Sequence, residues 1–123
     1  MPMLLAVAVG GAAGSVARYL IGVLLWRSPA AFPLSTLLIN VAGSFLIGLF
    51  TKLFHAPDDQ PVLRVALIVG VCGGFTTFST FSADTLALLQ HGKTSRAALY
   101  VSISLFASLL ATLAGFMVGR TAR

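Results

Sequence analysis

The chain has very little charge and few of the residues from which enzymes build active sites. Only 9% of its 123 residues are charged, and three of them are acidic, whereas about a quarter of a typical soluble domain is charged. Its single cysteine, Cys72, excludes an intrachain disulfide. Cys72 has no neighbouring histidine in the sequence, and His55 and His91 fall in or near predicted loops. We therefore expect no catalytic site and no His/Cys metal site.

Long apolar runs are what the chain has instead. Hydrophobic residues make up 58% of the sequence, and a helix of about 20 apolar residues crosses a bilayer core of about 30 Å. The runs predict four transmembrane helices, at about 3–25, 34–54, 62–89 and 97–119. Little sequence remains outside them, so we expect a single all-α transmembrane domain over 1–123. The first run lacks a basic leader and contains Arg18, so we expect a membrane helix there rather than a cleavable signal peptide.

Positive charge is almost evenly balanced across the membrane. With four spans, both termini and the second loop share one side. The basic residues near the ends of the spans divide four against three: Lys52, Arg64, Arg120 and Arg123 on that side, and Arg27, Lys93 and Arg96 on the other. Because a bias of this kind normally sets orientation, the chain is a candidate for insertion both ways up. A single orientation set by the insertion machinery or by lipids is the alternative.

The third apolar run is interrupted in the middle. The segment from Gly73 to Phe81 holds two glycines, four hydroxyl side chains and three phenylalanines. This composition predicts a helix broken within the membrane. Hydrocarbon cannot satisfy the freed backbone groups, so a break is tolerated only inside protein or beside a cavity. Breaks of this kind often mark an ion or substrate site.

Polar side chains recur every four residues in two of the other spans. They are Thr36, Asn40 and Ser44 in the second span, and Tyr100, Ser104, Ser108 and Thr112 in the fourth. Residues four apart share one face of a helix. A lone hydroxyl in a membrane helix usually bonds its own backbone, but two stripes beside a helix break also suit an ion path. Asn40 is costly to bury alone, so it either links helices or lines such a path.

The available side chains favour an anion over a cation. Asp84 is the sole acid within a span, whereas a proton relay or divalent-cation site needs several carboxylates. Amides, hydroxyls, Arg18 and the positive edges of aromatic rings can all face an anion. Phe75, Phe78 and Phe81 lie three apart, so a continuous helix would group them roughly along one side. Packing of these rings against lipid or neighbouring helices is the alternative.

Small residues indicate close packing of helices. Gly10 and Gly14 are four apart in the first span, and Gly115 and Gly119 are four apart in the fourth. Such pairs allow backbones to approach closely, either within one chain or between two copies. One four-helix bundle fills its centre with side chains, so an ion path is easier to build between copies.

Three segments together resemble the CrcB/Fluc fluoride-channel family, and the match spans essentially the whole chain. They are Gly10-Gly11-Ala12-Ala13-Gly14-Ser15-Val16-Ala17-Arg18-Tyr19, Thr36-Leu37-Leu38-Ile39-Asn40-Val41-Ala42-Gly43-Ser44, and Gly70-Val71-Cys72-Gly73-Gly74-Phe75-Thr76-Thr77-Phe78-Ser79-Thr80-Phe81-Ser82. The resemblance implies an antiparallel, dual-topology homodimer with two fluoride pathways. It also implies a structural sodium ion at the dimer centre, bound by the backbone carbonyls of Gly73 and Thr76.

The resemblance also implies roles for individual side chains. Asn40 would be the amide that contacts the ion, and Phe78 and Phe81 would present ring edges to the pathway. Arg18 would lie toward an aqueous vestibule and raise the local anion concentration there, and Asp84 would lie near an end of the polar track. Tyr100, Ser104 and Ser108 would form the polar track on the fourth helix, with Thr36 near one of its ends as a further pathway residue.

The implied function is passive export of fluoride across the plasma or inner membrane, which lowers intracellular fluoride and confers fluoride resistance. The chain lacks a nucleotide-binding glycine loop, which argues against a pump. A small multidrug-type exporter is one alternative, but it would need a membrane carboxylate, conventionally in the first span. A scaffold or accessory subunit is the other, and it would need neither Asn40 nor a broken third span.

Overall fold

The computed structural model describes residues 1–28, 30–55 and 60–122. Residue 29, residues 56–59 and Arg123, which was counted in the charge balance, lie outside this part. The described residues form α1 (Pro2–Leu24), α2 (Leu34–Leu53), α3 (Pro61–Val65), a π-helical segment (Ala66–Cys72), α4 (Gly73–Phe75), α5 (Phe78–Gln90) and α6 (Thr94–Thr121). We call Pro61–Gln90 the third span. Four helical stretches in the described part of the chain are each long and apolar enough to cross a membrane: α1, α2, the third span and α6. This confirms the predicted all-α architecture of four spans.

The third span is broken at Thr76 and Thr77, within the predicted segment. Thr76 has φ −80° and ψ 156°, and Thr77 has φ −153° and ψ 120°, so both are extended. Threonine side chains compete with the backbone for its hydrogen bonds. The Thr76 hydroxyl donates to the Cys72 carbonyl at 2.8 Å, and the Thr77 hydroxyl accepts the Thr80 N–H at 3.3 Å as the N-cap of α5.

A wide helical turn precedes the break. Ala66–Cys72 is π-helical, a geometry in which each N–H reaches back five residues instead of four. Nothing in the composition of this segment predicted it. Such segments are often found at functional sites. This one ends at Cys72, directly before Gly73, the first residue of the sequence predicted to contain the break.

The helices pack in two close pairs, each through glycines. Gly10 and Gly14 place α1 directly against the first half of the third span, and Gly48 and Gly115 bring α2 and α6 together. A Cβ atom at any of the four would collide with a backbone carbonyl of the facing helix. The small-residue pairs of the first and fourth spans therefore serve packing within the chain.

Little of the apolar surface is buried within one chain. Tyr100, Leu88 and Cys72 are the largest fully buried side chains. Many large apolar side chains of α1 and α6 are exposed, with Leu24 at 80% and Leu110 at 66%. A water-soluble monomer rarely exposes apolar patches of this extent, so lipid or further protein must cover this surface.

The close contact between α2 and α6 predicts a large effect of one methyl group. Gly48→Ala places its Cβ against the Thr112 carbonyl, so the two backbones must separate. We expect a loss of about 1–3 kcal/mol in stability, as for other overpacked sites, measured by denaturation in detergent. Gly22→Ala is the matched control, because a Cβ there meets nothing within 4 Å. Equal stability of the two variants would contradict this account of the packing.

Candidate functional site

A groove of about 510 Å³ runs between α2, the break and α6. Its lining includes five of the predicted pathway residues, Asn40, Phe78, Phe81, Ser104 and Ser108. Two further members of the polar stripes, Ser44 and Thr112, also line it. Side chains that are far apart in sequence thus share one cavity. No carboxylate is among the described residues that line it.

Asn40 joins α2 to the break. Its Oδ1 accepts the Thr77 N–H at 2.9 Å, and its Nδ2 donates to the Thr77 carbonyl at 3.1 Å. Both backbone groups of Thr77 have therefore found a partner without water, as a break at this depth requires. A primary amide carries two N–H donors, so Asn40 keeps a second one on a side chain that lines the groove.

Arg18 and Ser15 hold the other side of the break. The Arg18 Nε donates to the Gly74 carbonyl at 3.0 Å, and the Ser15 hydroxyl is 3.4 Å from the same oxygen. A cation near the C-terminal end of a helix interacts favourably with its dipole and its free carbonyls. Arg18 thus has a structural partner that the sequence did not reveal, and its position beside a vestibule stays a prediction.

The aromatic side chains form a short chain along the groove. Phe78 and Phe81 have ring centroids 5.4 Å apart, and Phe81 is 5.3 Å from Tyr100. Phe78 is 78% exposed in the single chain. Phe75 is buried at 8% exposure and is absent from the groove lining. The grouping that a continuous helix would give these three phenylalanines does not occur, because the break separates the register of Phe75 from that of the other two.

Ser104 carries a free donor inside the groove. The residue is 7% exposed, and its hydroxyl has no hydrogen-bond partner in the described part of the chain. A buried polar group without a partner is costly. Because Ser104 lines the groove, its unpartnered hydroxyl is the candidate donor to a bound ligand.

Thr36 and Tyr100 meet at Asp84 instead of in the groove. Thr36 donates to Asp84 Oδ2 at 2.6 Å, and the Tyr100 hydroxyl donates to the same oxygen at 3.3 Å. Thr36 and Asp84 also line a second cavity of about 240 Å³ near the α1–α2 connection. The sequence placed Asp84 only near the end of the track. Its status as the sole acid within a span was the signal that it has a specific partner.

The two carbonyls predicted to bind sodium have lost their helical donors. In a continuous helix, the Gly73 carbonyl would accept the Thr77 N–H, and the Thr76 carbonyl the Thr80 N–H. The Thr77 N–H donates to Asn40 instead, and the Thr80 N–H donates to the Thr77 hydroxyl. Gly73 is also exposed, with nothing within 4 Å of an added Cβ. Its surroundings leave room for a ligand or a second chain.

Comparison with known proteins identifies the family. Residues 5–116 match the family described as CrcB-like protein, Camphor Resistance (CrcB). A Rhizobium meliloti protein named fluoride-specific ion channel FluC is 48% identical over 122 residues, covering 98% of each chain. Proteins of the same name from Nitrobacter winogradskyi and Rhodospirillum centenum are 50% and 47% identical, over 95% and 99% of this chain and 94% and 98% of their own lengths.

The names of these relatives denote ion channels and not enzymes, in agreement with the expectation from the sequence. With the three motifs, the four spans and a family match over most of its length, the chain belongs to the CrcB-like family of multi-pass membrane proteins.

Proposed function

We propose that this protein is a fluoride channel that conducts the ion passively through the groove. The observation that carries the proposal is the Ser104 hydroxyl, a buried donor without a partner among the described residues, in a groove without a carboxylate lining. The names of the relatives support fluoride as the ion. The second N–H of Asn40 and the ring edges of Phe78 and Phe81 add further positive groups to the same surface.

The physical task of such a channel is to replace water around a small, tightly hydrated anion. Close hydrogen-bond donors offset the cost of dehydration, and conduction also requires that each site release the ion readily. The donors on offer here are neutral amides and hydroxyls, and these bind an anion less strongly than a buried cation does. The lining therefore suits passage rather than tight binding.

A second copy of the chain completes the pathway in this proposal. The groove opens to the surface of the single chain, where Phe78 is 78% exposed. An exposed ring of this kind can line an enclosed ion pathway only when another protein surface covers it. The even charge balance permits both orientations, so we propose an antiparallel, dual-topology homodimer with two pathways.

We propose further that a structural sodium ion is held at the centre of this dimer. The carbonyls of Gly73 and Thr76 are the ligands, and both have lost their helical donors at the break. Carbonyl oxygens suit a hard cation. Groups of three or more His, Cys, Asp or Glu that might bind a metal are absent from the described residues, so the backbone is the fitting ligand set. The bound ion supplies positive charge that holds the two breaks together.

The physiological role follows from acid–base chemistry. Hydrogen fluoride enters the cell from a more acidic medium as a neutral molecule and ionises in the less acidic cytoplasm, where the anion is trapped. A passive channel in the plasma or inner membrane, with an inside-negative potential, returns that anion to the outside. Export of fluoride and resistance to it are therefore the proposed outcome.

The proposal is tested by fluoride efflux from liposomes that contain the purified protein. Wild-type protein should release fluoride when valinomycin balances the charge, and a protein that moves no fluoride would refute the channel. In Asn40→Asp, a carboxylate oxygen faces the Thr77 carbonyl and both amide donors are gone. A lost hydrogen bond to a charged group is worth about 1.5–3 kcal/mol, so we expect a fall in efflux of about tenfold or more. Undiminished efflux would remove Asn40 from the pathway.

Ser104 allows a test that leaves the fold intact. Its hydroxyl has no partner among the described residues, so Ser104→Ala breaks no internal hydrogen bond and should not lower thermal stability. Efflux should fall severalfold because the anion loses one donor. Ser102→Ala is the matched control, since this exposed hydroxyl on the same helix donates to the Ala98 carbonyl and lies outside the groove lining. Equal efflux from both variants would exclude Ser104 as a donor to the ion.

Dual topology is tested by labelling a cysteine at an exposed loop end. Ser95→Cys lies in the first turn of α6 and leaves every charge unchanged, so it does not alter the bias that sets orientation. We expect a membrane-impermeant thiol reagent to label about half of the chains in intact cells, as equal insertion both ways requires. The wild type is the control, because its Cys72 is buried. Labelling of nearly all or nearly none of the chains would reject dual topology.

A further inference from the structure

The second cavity begins one turn of α2 away from the groove. Thr36 and Asp84 line this cavity, and Asn40, one turn along α2 from Thr36, lines the groove. Phe81 lies three residues before Asp84 on α5 and also lines the groove. A few side chains connect the lining of one cavity to that of the other. The Tyr100 ring packs against Phe81, and the Tyr100 hydroxyl donates to Asp84.

The lining of this cavity carries only two charged side chains among the described residues, Arg27 and Asp84. Asp84 is held at the inner end by Thr36 and Tyr100. Arg27 lies just beyond the end of α1 and is exposed. A carboxylate alone would give the cavity a negative potential and repel anions. The guanidinium of Arg27 offsets that charge from the solvent side.

We propose that this cavity is a mouth of the ion pathway and that Arg27 is the residue that raises the local anion concentration there. The inference rests on the proposed channel function. Ser28 and Ser35 also line the cavity and supply neutral hydrogen-bond donors between the solvent and Thr36. Arg18 does not line this cavity, and its Nε donates to the Gly74 carbonyl at the break instead. Arg27 acts through long-range charge, so it is a positioning residue and not a ligand within the groove.

A long-range charge effect has a specific signature, which is sensitivity to ionic strength. The Debye length is about 30 Å at 0.01 M salt and about 3 Å at 1 M, and steering of a charged ligand weakens accordingly. Arg27→Gln should lower the initial rate of fluoride efflux about two- to fivefold at 0.01 M of an impermeant salt. The difference from the wild type should disappear near 1 M. Arg27→Lys should retain the wild-type rate because it keeps the charge.

Arg96→Gln is the matched control for these measurements. It removes one exposed positive charge from the first turn of α6, at the end of a span on the same side of the membrane, and Arg96 does not line the cavity. Its efflux should equal that of the wild type. Arg27→Gln at the wild-type rate in low salt, or equal losses in Arg27→Gln and Arg96→Gln, would overturn the assignment. A wild type that moves no fluoride would instead refute the channel itself, so the two failures are distinguishable.

Chemical modification of a cysteine at position 27 tests the charge effect in protein that has already folded. Arg27→Cys is purified and reconstituted, and one sample is divided between a cationic and an anionic methanethiosulfonate reagent. The cationic reagent should raise efflux at low salt and the anionic reagent should lower it. Wild-type protein treated in parallel is the control, since Cys72 is buried. Equal responses to the two reagents would contradict a charge effect at this position.

Discussion

The structure depends on one constraint, which is that backbone groups freed inside a membrane must find partners in the protein. The break at Thr76 and Thr77 frees such groups in the middle of the third span. Asn40 binds both backbone groups of Thr77, and Arg18 with Ser15 binds the Gly74 carbonyl. In hydrocarbon an unsatisfied backbone group costs several kcal/mol. Without these partners a continuous helix would be favoured over the broken one.

The close helix pairs make this arrangement possible. Gly14 lets α1 approach the first half of the third span so closely that an added Cβ would lie 2.8 Å from the Phe75 nitrogen. At that separation the short side chain of Ser15 and the Nε of Arg18 reach a carbonyl on the neighbouring helix. Gly43 similarly leaves room for the Thr76 side chain beside α2, one turn from Asn40. Glycine packing and the polar contacts at the break are therefore two parts of one design.

Sequence reasoning reached the four spans, the position of the break and five of the groove residues. It succeeded there because apolar length, glycine pairs and four-residue polar spacing are local properties. Four-residue spacing carries no information about where Phe75 lies relative to Phe78 and Phe81, since helical register does not continue across a break. The Thr36–Asp84 hydrogen bond joins residues 48 apart in the sequence, and no local pattern encodes it. For Asn40 the sequence offered two roles, and the structure combines a link between helices with a place in the groove lining.

The polar stripes also show why counting hydroxyls overstates what an ion can meet. Each hydroxyl has one hydrogen to donate. Thr112 donates to the Ser108 carbonyl, and Thr36 and Tyr100 donate to Asp84. An anion can use these three only by displacing an internal acceptor, whereas Ser104 offers its hydrogen without any such exchange. The four-residue spacing brings the side chains to one surface. The partner of each hydrogen then decides which of them can bind an anion.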